Sequence, residues 1–194
     1  AQGKYEEGQE MHREIWDTRR KAIGAEHPDT LLSVYGLAMA LQTEGKPHWA
    51  AVLHREALLA RKRVLGDEHP ETLLSEINLA SALRDQGQHN EAAETHRAML
   101  TLQKERLGPE HPDSLSCASN LAKTLAAQKK YREAVQLLQE TLAVQRKVLG
   151  AEHPEVLLSL SNLADAAKDQ GDFSQAIELH TEALKARKRV LGAE

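Results

Sequence analysis

The sequence holds 194 residues, with 25 Lys and Arg set against 29 Asp and Glu, for a formal charge of −4. Both signs are spread along the chain and aromatics are only 3%, which excludes the basic footprint of a nucleic-acid or anionic-membrane binder and a base-stacking platform. No apolar run approaches the ~20 residues of a membrane span and no signal peptide is visible. The lone cysteine, Cys117, has no internal disulfide partner, which fits a reducing compartment and a cytoplasmic location.

The first predicted element is a helix near 4–23. It runs into IGAEHP at 23–28, a stretch that returns as LGDEHP at 65–70, LGPEHP at 107–112 and LGAEHP at 149–154, with a broken LGAE at 191–194. The glycines Gly24, Gly66, Gly108, Gly150 and Gly192 are spaced by 42 residues, the signature of a repeat array. Each stretch reads as a helix stop followed by a helix start. Cations such as Arg61, Lys62 and Arg63 complement the negative end of the outgoing helix. Glycine is expected to close that helix in the left-handed conformation. Proline then suits the first turn of the next helix, and Asp29, Glu71, Asp113 or Glu155 follows at its positive end.

A second break falls inside each period, at 43–46, 85–88, 128–130 and 169–172, and splits it into helix A and helix B. The A helices are predicted near 29–43, 71–85, 113–127 and 155–169, and the B helices near 47–65, 89–107, 131–149 and 173–191. Leu37, Ala38 and Leu41, with their equivalents in every repeat, share one face of helix A. A small residue recurs early in helix B, at Gly8, Ala50, Ala92, Ala134 and Ala176, where it lets two helices approach closely. Trp16, Leu58, Leu100, Leu142 and Leu184 occupy one later position and are expected in the core. The reading is an all-α array over 1–194, with a lone B helix at 1–24 and four full repeats at 25–66, 67–108, 109–150 and 151–192.

The Asn-Leu-Ala triplets at 78–80, 120–122 and 162–164, the turn at 85–88, the fixed Ala of helix B and the closing proline resemble a tetratricopeptide repeat (TPR). The 42-residue period and the basic-VLGxEHP tail are similar to the kinesin light chain subtype. That resemblance implies a right-handed α-α superhelix, a solenoid of antiparallel helix pairs with about nine helices, whose A helices line a concave groove. It also implies a protein-interaction scaffold with no cofactor. The ligand-facing positions it implies are Tyr35, Met39, Leu74, Ile77, Asn78, Ser81 and Arg84 in the first two full repeats. In the last two they are Ser119, Asn120, Lys123, Ser161, Asn162, Asp165 and Lys168.

Asn78, Asn120 and Asn162 form a ladder of amides, each able to donate to and accept from an extended peptide backbone. Arg84, Lys123 and Lys168 offer charge to acidic residues of a partner. The structural alternative is that these asparagines link neighbouring helices and the cations are solvated. His12, His54, His96 and His180 share one helix B position, which Leu138 takes in the third full repeat. Equivalent positions lie at least ~8–10 Å apart, too far to meet on one zinc ion at ~2.0–2.1 Å per ligand, so packed imidazoles are expected and no metal. His27, His69, His111 and His153 read as capping or loop-packing groups, Cys117 as a packed small side chain and Trp49 as cover for a surface seam. No phosphate-binding glycine loop and no His-Glu-x-x-His motif is present, so no enzyme chemistry is expected.

The functional reading is therefore a peptide- or protein-binding scaffold acting through its groove, with no nucleic-acid or membrane partner. The alternative is a structural or assembly array whose groove is unused. Neither end shows a polar cap, which suggests a segment of a longer array or self-association through the ends.

Overall fold

The computed structural model describes residues 2–192, with the side chains of 8, 10–190 and 192. Among them run nine α-helices: α1 (Gln2–Ile23), α2 (Pro28–Thr43), α3 (Pro47–Leu65), α4 (Pro70–Asp85), α5 (His89–Leu107), α6 (Pro112–Ala127), α7 (Tyr131–Leu149), α8 (Pro154–Gln170) and α9 (Phe173–Leu191). These bounds lie within a few residues of those read from the sequence, and the fold is all-α. The helices are grouped in two compact units, residues 1–95 and 96–194. In the first, α2 packs on α1 and α3, and α3 on α4. In the second, α7 packs on α6 and α8, α8 on α9, and α6 also touches α8. The turns between neighbours are short, so successive helices run antiparallel.

The repeated histidine is the N-cap of every A helix that follows an EHP stretch. Nδ1 of His27, His69, His111 and His153 accepts the backbone N–H two residues on, at 3.2 Å in each case. This satisfies one of the N–H groups that a helix start leaves without an intrahelical partner. The preceding glycine differs from expectation. Gly66 (φ 87°, ψ 166°) and Gly150 (φ 86°, ψ 156°) have positive φ but an extended ψ, not the left-handed helical conformation. That region is accessible to glycine almost alone, and it turns the chain sharply while the N–H still closes on the carbonyl four residues back.

Two contacts brace the loop and were not evident in the sequence. The hydroxyls of Thr30, Thr72 and Ser114, all buried, donate to the carbonyls of Gly24, Gly66 and Gly108 at 2.8 Å. The basic run also reaches back one repeat: Arg63 binds Glu26, Lys147 binds Glu110 and Arg189 binds Glu152. The glutamate of EHP is thus a clasp partner, in an exposed pair that water and salt screen.

The core follows the repeat. Ala38, Ala80, Ala122 and Ala164 are inaccessible on the A side, as are Ala50, Ala92 and Ala134 on the B side, with Ala176 nearly so. Gly8 departs from this pattern, because a Cβ there would meet nothing within 4 Å. Leu58, Leu100 and Leu142 are buried as expected, but Leu184 is exposed, since no described helix follows α9 to cover that side. Trp16 is half-buried and packs against two core clusters. Cys117 stands where the repeat otherwise places Ser33, Ser75 and Ser159. It is 1% exposed, and burial, with a smaller contribution from the Asp113 charge, pushes its thiol up to about 11. A packed, unreactive side chain is the consequence.

One mid-repeat turn carries a departure with a measurable effect. Gly45, Gly87 and Gly171 have positive φ, and in the third full repeat Lys129 takes that place at φ 62°. A non-glycine residue there costs about 1–2 kcal/mol, while glycine would lose about 0.4–1 kcal/mol to its freer unfolded chain. Lys129→Gly is therefore expected to raise stability by up to about 1.5 kcal/mol, read as a higher denaturation midpoint. A lowered midpoint would show the turn to be held by the lysine side chain instead.

Candidate peptide-binding faces of the A helices

Packing on neighbouring helices leaves one stripe of each A helix uncovered, and the residues the sequence singled out lie along it. In the first unit Met39 and Leu74 are exposed, as is Leu32 one turn before Tyr35, while Tyr35, Ile77, Asn78, Ser81 and Arg84 are half-buried. In the second, Lys123, Asp165 and Lys168 are exposed, and Ser119, Asn120, Ser161 and Asn162 are half-buried. The spacing of three and four residues puts each set on one face.

The first unit holds a polar chain that sequence reading missed. Arg84 Nε and Nη2 both donate to Asp85 Oδ1, at 2.9 and 2.7 Å. Asp85 Oδ2 accepts from Gln42 Nε2 at 2.9 Å, and Gln42 Oε1 lies 3.2 Å from His54 Nε2. Since Gln42 uses its amide nitrogen towards Asp85, its oxygen faces His54, and the imidazole donates from Nε2. The His54 ring also lies 6.2 Å from that of Tyr35, tilted by 52°. Burial, then the nearby Arg61 charge, lowers the His54 pKa to about 4, so it is neutral. Arg84 was expected to offer its charge to a partner. Its own neighbour Asp85 already engages it, so it serves as a fixed, neutralised pair.

The amide ladder begins at Asn78, because Gly36 holds the equivalent place in the first full repeat. A Cβ on Gly36 would come within 2.9 Å of His12 Nδ1, so the imidazole fills the space a side chain would need. Asn78 Nδ2 is enclosed and has no hydrogen-bond partner. In the second unit Ser119 and Ser161 donate to the carbonyls of Leu115 and Leu157 at 3.1 Å, and Arg187 reaches Ser161 Oγ at 3.2 Å. Asp165 lies 4.0 Å from Lys168 and 3.7 Å from His180.

The histidines of helix B divide. His54 and His96 are buried, the latter 2.9 Å from Thr124 Oγ1, and Leu138 is buried at the matching place. His180 corrects the expectation of a packed imidazole, since it is exposed beside Asp165. No group of three or more His, Cys, Asp or Glu among the described residues is placed to hold a metal ion. No helix among them is long and apolar enough to cross a membrane.

Comparison with known proteins agrees with this architecture. The tetratricopeptide repeat model matches residues 33–105, 76–147 and 115–189, and a second model of the same description matches 1–29. A structure described as nearly identical TPR-like repeats of a kinesin light chain from Podosopora anserina is 31% identical, over 98% of this chain and 90% of that one, with a TM-score of 0.74. BtubC (BKLC) from P. vanneervenii shares the fold at 18% identity, over 98% and 93% of the two chains, with a TM-score of 0.64. PlcR of Bacillus thuringiensis, solved in complex with the peptide PapR7 and DNA, shares it at 13% identity, over 96% and 70%, with a TM-score of 0.66. No curated protein sequence matches significantly. The chain belongs to the tetratricopeptide repeat family, in its kinesin light chain-like form.

Proposed function

We propose that this chain is a non-enzymatic scaffold that binds an extended peptide or partner segment on the uncovered faces of its A helices. The observation that carries this reading is the composition of those faces. Leu32, Met39, Leu74 and Leu158 are exposed there, among half-buried asparagines and serines repeating every 42 residues. Apolar side chains held out to solvent beside amide donors and acceptors suit a peptide that inserts side chains and pairs its backbone. PlcR, which shares the fold, is solved with a bound peptide. Lys123 and Lys168 favour acidic residues in the partner, and charge-assisted contacts there would add to the amide pairing.

The test is a peptide-display selection on the parent chain and on the double variant Asn120→Ala/Lys123→Glu. A motif enriched on the parent is expected to bind the variant at least tenfold more weakly. Equal enrichment on both, or none on a chain shown to be folded and helical, would reject the groove and favour an assembly role.

A further inference from the structure

The repeat supplies its own reference for what an outward position of helix B ordinarily holds. Trp49 stands where the other full repeats have Glu91, Glu133 and Gln175, and Val52 where they have Glu94, Gln136 and Glu178. Both are exposed, at 62% and 40%. Trp16 likewise replaces the leucine found at 58, 100, 142 and 184. Three departures towards larger or more apolar side chains therefore meet at one place, on the side of the first unit formed by α1 and α3.

There they line a cleft of about 440 Å³, within the ~300–1,000 Å³ of small-molecule sites. Leu37 and Leu41 of α2 and Leu53 of α3 complete its apolar lining. Its charged groups are Arg13, Arg20 and Lys46 against a single acid, Glu56. The Arg20 guanidinium carbon lies 5.4 Å from the centroid of the Trp16 ring, and Lys46 is 2.9 Å from Glu44. An adjoining cavity of about 310 Å³ shares Trp16, Arg20 and Glu56, but its further cation, Arg63, is already bound by Glu26 at 2.6 Å. None of the A-helix face residues Tyr35, Met39 or Leu74 lines either space, so this site stands or falls apart from the peptide-binding faces.

We infer that the cleft is a binding site for a small amphipathic carboxylate, a medium-chain aliphatic acid. Its chain would lie against Trp16, Trp49 and Val52, and its carboxylate would be met by the guanidinium groups of Arg13 and Arg20. With Lys46 held by Glu44, Arg13 and Arg20 still outnumber Glu56 at this apolar cleft, which selects that chemistry over a neutral or cationic amphiphile, because a carboxylate gains charge-assisted hydrogen bonds from arginine. The volume limits the occupant to a short chain.

Trp16 and Trp49 are the only tryptophans, so tryptophan fluorescence, excited where tyrosine does not absorb, reports on this cleft. Titration with decanoate below its micelle concentration is expected to give a saturable change that decyltrimethylammonium does not produce. Val52→Glu introduces the residue this position carries at 94 and 178, and Arg13→Gln the residue found at 139, so both variants are compatible with the helix. Each is expected to weaken decanoate at least tenfold, with the helical circular dichroism and melting temperature retained. The inference is overturned by a folded chain that gives no saturable response, by a response that survives Val52→Glu, or by an equal response to the cationic amphiphile. A response confined to an acidic helical peptide would also overturn it, and would assign the cleft to a protein partner.

Discussion

Leu160→Ala is expected to cost about 2–5 kcal/mol, while Leu158→Ala, two residues earlier in the same helix, should stay within about 0.5 kcal/mol of the parent. Leu160 is 1% exposed and belongs to the core cluster that joins Leu138 and Leu142 of α7, Leu157 and Leu163 of α8 and Ala183 and Ala186 of α9. Truncation removes apolar contact and leaves a cavity that helices on three sides cannot all close. Leu158 is 48% exposed on the face proposed for partner binding, and its loss opens no cavity. Denaturant unfolding of the two variants compares the sides of one helix under identical propensity. Equal costs would show that α8 presents a different face from the one described. The contrast also bears on function, because Leu158 is an exposed leucine that the core does not require.

Much of this was readable because the repeat states each feature several times. Four histidines before four prolines pointed to helix starts, and all four imidazoles cap them. The fixed alanines marked the close helix contacts for the same reason, and Gly8 misled because a glycine satisfies the pattern without making the contact. Features that depend on a partner about 37 residues away escaped. The cations ahead of the glycines read equally well as dipole partners, and only the fold brings Arg63, Lys147 and Arg189 to the glutamates of the preceding loop. The candidate faces were legible as positions but not as charges. Arg84 and Lys168 look alike in sequence, yet Arg84 is spent on Asp85 while Lys168 is exposed and 4.0 Å from Asp165. His180 and Leu184 show the opposite limit, since a repeat position predicts burial only where a described neighbour covers it.

Acidification from pH 7 towards 4 is expected to remove about 3 kcal/mol of stability from the parent beyond what it removes from His54→Leu. His54 is 2% exposed, and its pKa falls from 6.5 to about 4, chiefly through burial and then through the Arg61 charge. Above about pH 6.5 the imidazole is neutral in both folded and unfolded chains and contributes no pH dependence. Between about 6.5 and 4 the unfolded chain takes up a proton that the folded chain refuses, so stability falls with falling pH at about 1.4 kcal/mol per unit. Below about 4 both states are protonated and this loss stops. Leucine is a suitable replacement because Leu138 fills the same repeat position in the buried core of the second unit. The difference between the two proteins' denaturation curves isolates residue 54 and the groups it touches. Parallel curves would mean that the imidazole accepts its proton in place, which its enclosure does not favour. The polar chain from His54 through Gln42 and Asp85 to Arg84 is therefore unchanged between pH 6.5 and about 4, because the folded imidazole stays neutral and keeps donating from Nε2 to Gln42.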